Sequence, residues 1–304
     1  MVAIHNSTAA FTRRSIDEMA RLREEAERLQ TAVATGQRLQ RSSDDPQAAS
    51  RLRSLARADA LGAVDTAKAQ RLAGELALAD DALAGAANEL IRARELALQA
   101  GSDSLSAEQR ATIATELERV RENLIAIANS VGTDGRPLFA GSAPAAYSVD
   151  DDGSVTYVGA QGVEDIDLGA SPPLPRGIVG PQAFGFAVDD TGTDVFAHLA
   201  ALAAALRDPA TGGASLARDA LAGLDAGLES LTRSQAAIGV RAAWIDTLIA
   251  GQQQMSEARA RERSDIGDTD IAATIAQLQQ TLTVLEAAQA GFVRVAGLTL
   301  FDAI

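Results

Sequence analysis

Side chains that could bind zinc or act as nucleophiles are scarce in this sequence. The chain contains two histidines, His5 and His198, and no cysteine. Zinc sites combine several histidine, cysteine or carboxylate ligands at short spacings, and the His-Glu-x-x-His motif of metalloproteases does not occur. The sequence therefore predicts no metal site and no cysteine nucleophile. We interpret His198, beside a stripe of leucines, as a surface or core-edge residue.

The most concentrated acidic group is the run Asp150-Asp151-Asp152, whose carboxylates are of the kind that bind calcium. The run lacks the alternate spacing and the closing glutamate of an EF-hand loop, so we interpret it as a turn. A phosphate-binding loop is excluded because no Gly-x-x-x-x-Gly-Lys occurs and the single lysine, Lys68, lies in a helical pattern. We therefore expect no catalytic residues, no cofactor and no bound metal, and a protein that is not an enzyme.

The charge and hydropathy of the chain limit its partners. The formal net charge of −14 at pH 7 argues against nucleic acid, whose binding needs a basic surface. No apolar run approaches the ~18 residues that would span a bilayer, so we expect no membrane insertion. Residues 1–12 lack a basic stretch followed by an apolar core, so we expect no cleavable secretory signal. The absence of cysteine fits a protein that functions outside the cell.

With no reactive cluster to position, the helical elements themselves become the candidate functional feature. The pattern from residue 271 to 296 alternates steps of four and three residues, which places its apolar side chains on one stripe of a helix. Gln289 is the only polar member, and Thr274 and Thr281 are predicted on the opposite face, which suits either water or a second, wetter contact. A matching pattern near the N-terminus runs through Ala26. The predicted assembly residues are Met19, Leu22, Leu29, Val33, Ile271, Ile275, Leu278, Leu282, Leu285 and Phe292.

The middle of the chain repeats the same helical spacing around a different kind of segment. Heptad patterns cover 72–100, 113–131 and 221–249, and Ser106 with Gln109 forms a capping box before the second of them. Three glycines inside the last pattern, Gly223, Gly227 and Gly239, suggest close backbone contacts. Short alternating runs at 147–149 and 155–158 around the Asp150–Gly153 turn predict a β-hairpin.

Together these patterns predict a mainly α fold: an elongated antiparallel helical bundle or coiled coil with a small β-rich inserted domain. We expect an N-terminal assembly helix at 1–45 and a C-terminal one at 265–304, both ordered conditionally because a helix with one apolar stripe needs a partner. Residues 46–133 and 194–264 are expected to form a helical rod domain, and residues 134–193 the β-rich outer insertion.

Several short motifs resemble those of the bacterial flagellin family. Thr35-Gly36-Gln37-Arg38-Leu39 followed by Ser43-Asp44-Asp45-Pro46 is similar to the family's N-terminal signature, in the form typical of its hook-associated branch. The segment from Gly135 to Gly141 resembles the Gly-Arg-x-x-Phe-Ala-Gly turn of that branch. Asp268-Thr269-Asp270-Ile271, Gln279-Gln280-Thr281 and Leu298-Thr299-Leu300-Phe301 resemble its C-terminal signature.

The resemblance implies a structural subunit that joins the hook to the filament of the bacterial flagellum by coiled-coil packing of its terminal helices. The implied partners are other copies of the chain, the adjoining hook-associated protein on the hook side, flagellin on the filament side, and a flagellar export chaperone. The implied location is extracellular, in the flagellum, after type III export without a cleavable signal peptide. Filament flagellin remains an alternative, and a helical coiled-coil adaptor or signalling module is the alternative of another class.

Overall fold

The computed structural model describes residues 2–169, 172–188, 191–208 and 213–301. The outermost residues of the two expected assembly domains, 1 and 302–304, lie outside the described residues. The described helices are α1 (Val2–Thr35), α2 (Pro46–Ala100), α3 (Ala107–Ala128), α4 (Gly180–Phe184), α5 (Val195–Arg207), α6 (Gly213–Gly267) and α7 (Ile271–Phe301). The described strands are β1 (Tyr147–Val149), β2 (Val155–Tyr157), β3 (Asp165–Ile166), β4 (Leu174–Pro175), β5 (Gly185–Val188) and β6 (Thr191–Asp194). The prediction of a mainly α fold with a small β-rich part is confirmed.

The chain divides into two compact units, and the division crosses both α2 and α6. The terminal unit comprises residues 1–61 and 254–304, and the middle unit comprises residues 62–253. This grouping places 46–61 and 254–264 with the terminal helices, whereas the sequence pattern assigned these residues to the rod domain.

In the terminal unit, α1 packs against α7, and the start of α2 is joined to the end of α6 by ion pairs. The guanidinium of Arg51 donates two hydrogen bonds to the Glu262 carboxylate, at 2.6 and 2.9 Å. Arg259 donates to Asp59 over 2.6 Å, and both of these side chains are mostly buried. The exposed Arg51–Glu262 pair contributes less than about 1 kcal/mol, whereas removing one partner of the mostly buried Arg259–Asp59 pair would leave a charge without its partner.

The core of the middle unit follows the predicted heptads. On α2, the buried positions include Leu72, Leu76, Leu83 and Leu90, and on α3 they include Leu117. The predicted capping box of α3 is present, since the Ser106 hydroxyl accepts from the Gln109 amide while the Gln109 side chain accepts from the Ser106 amide. The helix α3 packs against α5.

Of the three glycines that the heptad pattern singled out in α6, two mark close contacts and the third does not. A Cβ on Gly223 would lie 2.3 Å from Cε1 of His198, and one on Gly227 would lie 3.1 Å from Cγ1 of Val195. Gly239 has no heavy atom within 4 Å of its Cβ position, so the prediction of a close backbone contact there is wrong. Gly239 lies on the exposed side of α6, where no neighbouring element requires a small residue.

The β-rich part consists of three antiparallel strand pairs among the described residues. The predicted hairpin is present, with Tyr147 opposite Tyr157 and Val149 opposite Val155. The Asp150–Gly153 segment forms its turn: the Gly153 amide donates to the Asp150 carbonyl oxygen, and Gly153 adopts a left-handed φ of 81°. The pairs β3–β4 and β5–β6 were not predicted. Three edge-to-face ring contacts and one tilted contact, between Phe184 and Phe196, form the aromatic core of this region, which consists of Phe139, Tyr147, Phe184 and Phe196.

Candidate assembly interface

The inward face of α1 is the one that the heptad pattern predicts. Leu29 is buried, and Met19, Leu22 and Val33 are half-buried. Alanines complete the stripe, with Ala26 and Ala32 buried. The small alanine side chains allow α7 to approach closely, and the charged residues of α1 face solvent.

The inward face of α7 is rotated away from its most apolar stripe. Leu285 is buried, and Leu278 and Phe292 are half-buried, as expected for residues facing a partner helix. Ile271, Ile275 and Leu282 remain exposed, by 50%, 39% and 43% of their surface. The ten predicted assembly residues therefore fall into two sets: seven that the α1–α7 pair covers at least partly, and three that it leaves in solvent.

Two threonines, Thr274 and Thr281, are among the covered residues of α7. Of the two expectations for the face that carries Thr274 and Thr281, water or a second, wetter contact, the structure has the contact, because Thr274 is buried and Thr281 is half-buried. The hydroxyl groups of Thr274 and Thr269 are 3.0 Å apart and share a hydrogen bond. Because a buried hydroxyl with a partner costs little, this side of α7 can face α1 without being fully apolar.

Apart from Val284 and Val295, which lie on another side of the helix, the exposed apolar side chains described in α7 form a row that we call the outer ledge: Ile271, Ile275, Leu282 and Val293. Their separations of four, seven and eleven residues keep them on one side of the helix. On α1, Phe11 and Ile16 are also exposed. Exposed apolar side chains that share one side of a helix are a candidate interaction surface.

Most of the Thr35–Leu39 motif lies in the loop after α1, which pairs with the loop after α6. Gly36 follows α1 with a left-handed φ of 70°, the conformation that ends many helices. Gln37 pairs with Asp268 in an isolated antiparallel bridge. Sequence reasoning identified the motif but gave these residues no structural role, because their partners lie more than 200 residues away.

The carboxylate of Glu262 in the terminal unit is held ionised by its partner Arg51. The hydrogen bonds from Arg51 hold the pKa of Glu262 below its usual value. Since this pair is exposed, its effect on stability is small. Arg51 and Glu262 thus form an ion pair at the surface.

Of the two histidines, His198 has a structural role. His198 shares a 2.9 Å hydrogen bond between its Nε2 and the Ala220 carbonyl oxygen, which ties α5 to α6. The side chain of His5 lies outside the described side chains. Among the described residues, no group of three or more histidine or acidic side chains is arranged to bind a metal ion. No helix within the described ranges combines the length and hydropathy that crossing a membrane requires.

Comparison with known proteins agrees with the motifs. Residues 4–143 match the family model described as the bacterial flagellin N-terminal helical region. The flagellar hook-associated protein 3 of Escherichia coli K12 is 26% identical over 286 residues, which cover 89% of this chain and 90% of that protein. The Salmonella typhimurium protein of the same name is 25% identical over the same shares. The solved structure of a flagellar hook-associated protein from Legionella pneumophila superposes with a TM-score of 0.61 at 16% identity, covering 67% of this chain and 96% of that one.

Nearly half of the chain, residues 4–143, is thus similar to the N-terminal helical region of the bacterial flagellins. Over nine-tenths of its length, the chain is similar to structural subunits of the flagellum, the proteins called flagellar hook-associated protein 3. The resemblance to the hook-associated branch that the motifs indicated is thereby confirmed.

Proposed function

We propose that this chain joins hook to filament as a subunit of the junction between them. The observation that carries the proposal is the similarity to hook-associated protein 3 along about nine-tenths of both chains. A match confined to the N-terminal helical region would support flagellin and the junction protein equally.

The terminal helices provide the assembly surface in this proposal. Between residues 10 and 35 of α1, three side chains are buried, and between residues 271 and 295 of α7, two are buried. Ordering costs about 1–2 kcal/mol per residue, so a helix pair with so little burial is marginal without further partners. Neighbouring subunits that cover the outer ledge would supply the missing burial.

It follows that order in the terminal segments depends on assembly. We propose that residues 1–45 and 265–304 fold fully only when neighbouring subunits contact them, as is usual for segments whose folding is coupled to binding. Residues 46–133 and 194–264, with the β-rich insertion at 134–193, form the part that is stable in the single chain. The buried core of the middle unit, which runs from Ala69 to Ile245, supports stability for most of this part.

The partners follow from the position at a junction. They are other copies of this chain, the adjoining hook-associated protein on the hook side, flagellin on the filament side, and an export chaperone before secretion. The role is structural rather than enzymatic. The proposed location is outside the cell, in the flagellum, after export by the flagellar type III apparatus.

Deletion of the gene in its own bacterium tests the proposal. The expected result is a cell that carries hooks without filaments and releases flagellin into the medium, because the filament has nothing to attach to. Re-expression of the chain should restore attached filaments. Loss of the main filament protein itself would instead identify the chain as filament flagellin, and intact filaments would contradict a role at the junction.

A further inference from the structure

Two loops that are distant in sequence form a short stretch of antiparallel backbone pairing at the base of α1 and α7. The Arg38 amide donates to the Gly267 carbonyl oxygen over 2.8 Å, and the Thr269 amide donates to the Gly36 carbonyl oxygen over 2.9 Å. Gln37 and Asp268 lie opposite each other between these two bonds. We call residues 36–38 and 266–269 the clasp.

The side chain of Arg38 reinforces the clasp. Its Nε and one terminal nitrogen donate to the Ile266 carbonyl oxygen, at 3.2 and 2.8 Å. Ile266 lies in the last turn of α6, where carbonyl oxygens lack helical partners and the negative end of the helix dipole attracts a cation. One side chain from the end of α1 thus caps the helix that leads into α7.

The clasp lies where α1 ends and where α7 begins. Gly36 ends α1 in a left-handed conformation, and its amide donates to the Ala32 carbonyl oxygen over 2.9 Å. On the other side, Asp270 caps α7 by accepting from the Ala273 amide over 3.0 Å. The inward residue Thr274 follows only four residues after Asp270.

We propose that the clasp persists in the free subunit and sets the register in which α1 and α7 order together. Heptad patterns permit partner helices to slip by whole repeats, since a shift of seven residues restores the same faces. A fixed point close to the first inward residues excludes such shifts. The clasp also removes the entropy cost of bringing together two helices separated by a long connection. The proposal rests on the proposed function, because it concerns helices that complete their order during assembly.

Site-resolved hydrogen exchange on the free full-length chain tests the clasp directly. The Arg38 and Thr269 amides should be protected even if the outer parts of α1 and α7 exchange freely. Arg38→Ala should reduce the protection of the Thr269 amide by about tenfold, since it removes a hydrogen-bonded cation from a carbonyl oxygen. Arg41→Ala is the matched control, because Arg41 lies in the same loop with an exposed side chain, and it should leave Thr269 unchanged.

Gly36 provides a second variant that does not alter charge. Because no heavy atom lies within 4 Å of a Cβ at this position, Gly36→Ala is unfavourable only through its positive φ. It should lower the protection of the Thr269 amide, whereas Gly36→Asn should largely keep it, since asparagine tolerates this conformation.

The outcomes for the clasp and for the proposed function are separable. A Thr269 amide that exchanges at the unprotected rate in the native sequence, or that is unaffected by Arg38→Ala, overturns the clasp and leaves a role at the junction intact. Protection along the whole of α1 and α7 in the free chain contradicts assembly-dependent order and leaves the clasp standing.

Discussion

Leu282→Asp separates the folding of the single chain from its assembly. Leu282 lies on the outer ledge of α7 and is 43% exposed, so a carboxylate there remains hydrated in the free subunit. In the flagellum, we expect neighbouring subunits to cover this position. The substitution should therefore leave the helical content of the free chain nearly unchanged and prevent incorporation.

The expected size of the effect follows from the exposed fraction of the side chain. Burying a whole leucine side chain contributes about 1.5–3 kcal/mol, so covering the exposed 43% contributes about 0.6–1.3 kcal/mol per subunit. An unpaired polar group that is taken out of water costs about 1–3 kcal/mol more, and a charged one costs more still. The sum of about 2–4 kcal/mol corresponds to a roughly 30- to 1,000-fold weaker incorporation.

The assay is competition between tagged variant and native chains co-expressed in the deletion strain, with the ratio measured in purified flagella and in the medium. Circular dichroism of the free variant monitors its helical content. Gln280→Asp is the matched control, because it adds the same charge two residues away on a different side of α7. Normal incorporation of Leu282→Asp would refute the assignment of the outer ledge to assembly.

Three further predictions concern the middle unit. Gly239→Ala should raise the free energy of unfolding by up to about 1 kcal/mol through better helix propensity, whereas Gly223→Ala should lower it by about 1–3 kcal/mol because its methyl group displaces a packed imidazole. Arg176→Ala should lower the free energy of unfolding by about 2 kcal/mol. Arg176 donates two hydrogen bonds, of 2.7 and 2.8 Å, to the partly buried carboxylate of Glu75 and also contacts Asp134. Hydrogen bonds from Arg207 hold the pKa of Glu118 below its usual value. The free energy of unfolding should therefore fall as the pH drops below the ordinary carboxyl pKa of about 4.

Chemical denaturation measures all three. The two glycine variants control for each other, since both lie in α6, and equal effects would contradict the contacts at Gly223. Arg92→Ala is the control for Arg176, because its ion pairs are exposed and should contribute less than about 1 kcal/mol. As the pH falls, Glu118 binds a proton in the unfolded chain before it does so in the folded chain. The stabilisation that the Glu118–Arg207 pair contributes is therefore lost as the pH falls from the pKa of Glu118 in the unfolded chain through its lower pKa in the folded chain. Glu118→Gln should reduce this slope, and an unchanged slope would exclude the pair as its cause.

Features with signals inside one short stretch of sequence could be predicted. The capping box of α3 depends on Ser106 and Gln109 alone, and the β1–β2 hairpin depends on two alternating runs around a glycine turn. The inward face of α1 also followed from its pattern, because its apolar stripe is narrow and the rest of the helix is charged.

Features that depend on distant partners could not be predicted in the same way. The stripe of α7 combines residues that face α1 with residues that remain exposed, and hydropathy alone does not separate the two sets. Thr274 is buried because Thr269 supplies a hydrogen-bond partner, which its polarity does not reveal. The pairing of Gln37 with Asp268 depends on the tertiary fold, so the motif was visible while its contact was not.

A hydrogen-exchange map of the free chain beside the assembled flagellum tests the central claim most directly. We expect amides in 10–35 and 271–295 to exchange nearly as fast as in an unfolded chain before assembly and to be protected afterwards, while the buried stretches of α2 and α3 are protected in both states. Equal protection of the terminal helices and the middle unit in the free chain would contradict assembly-dependent order.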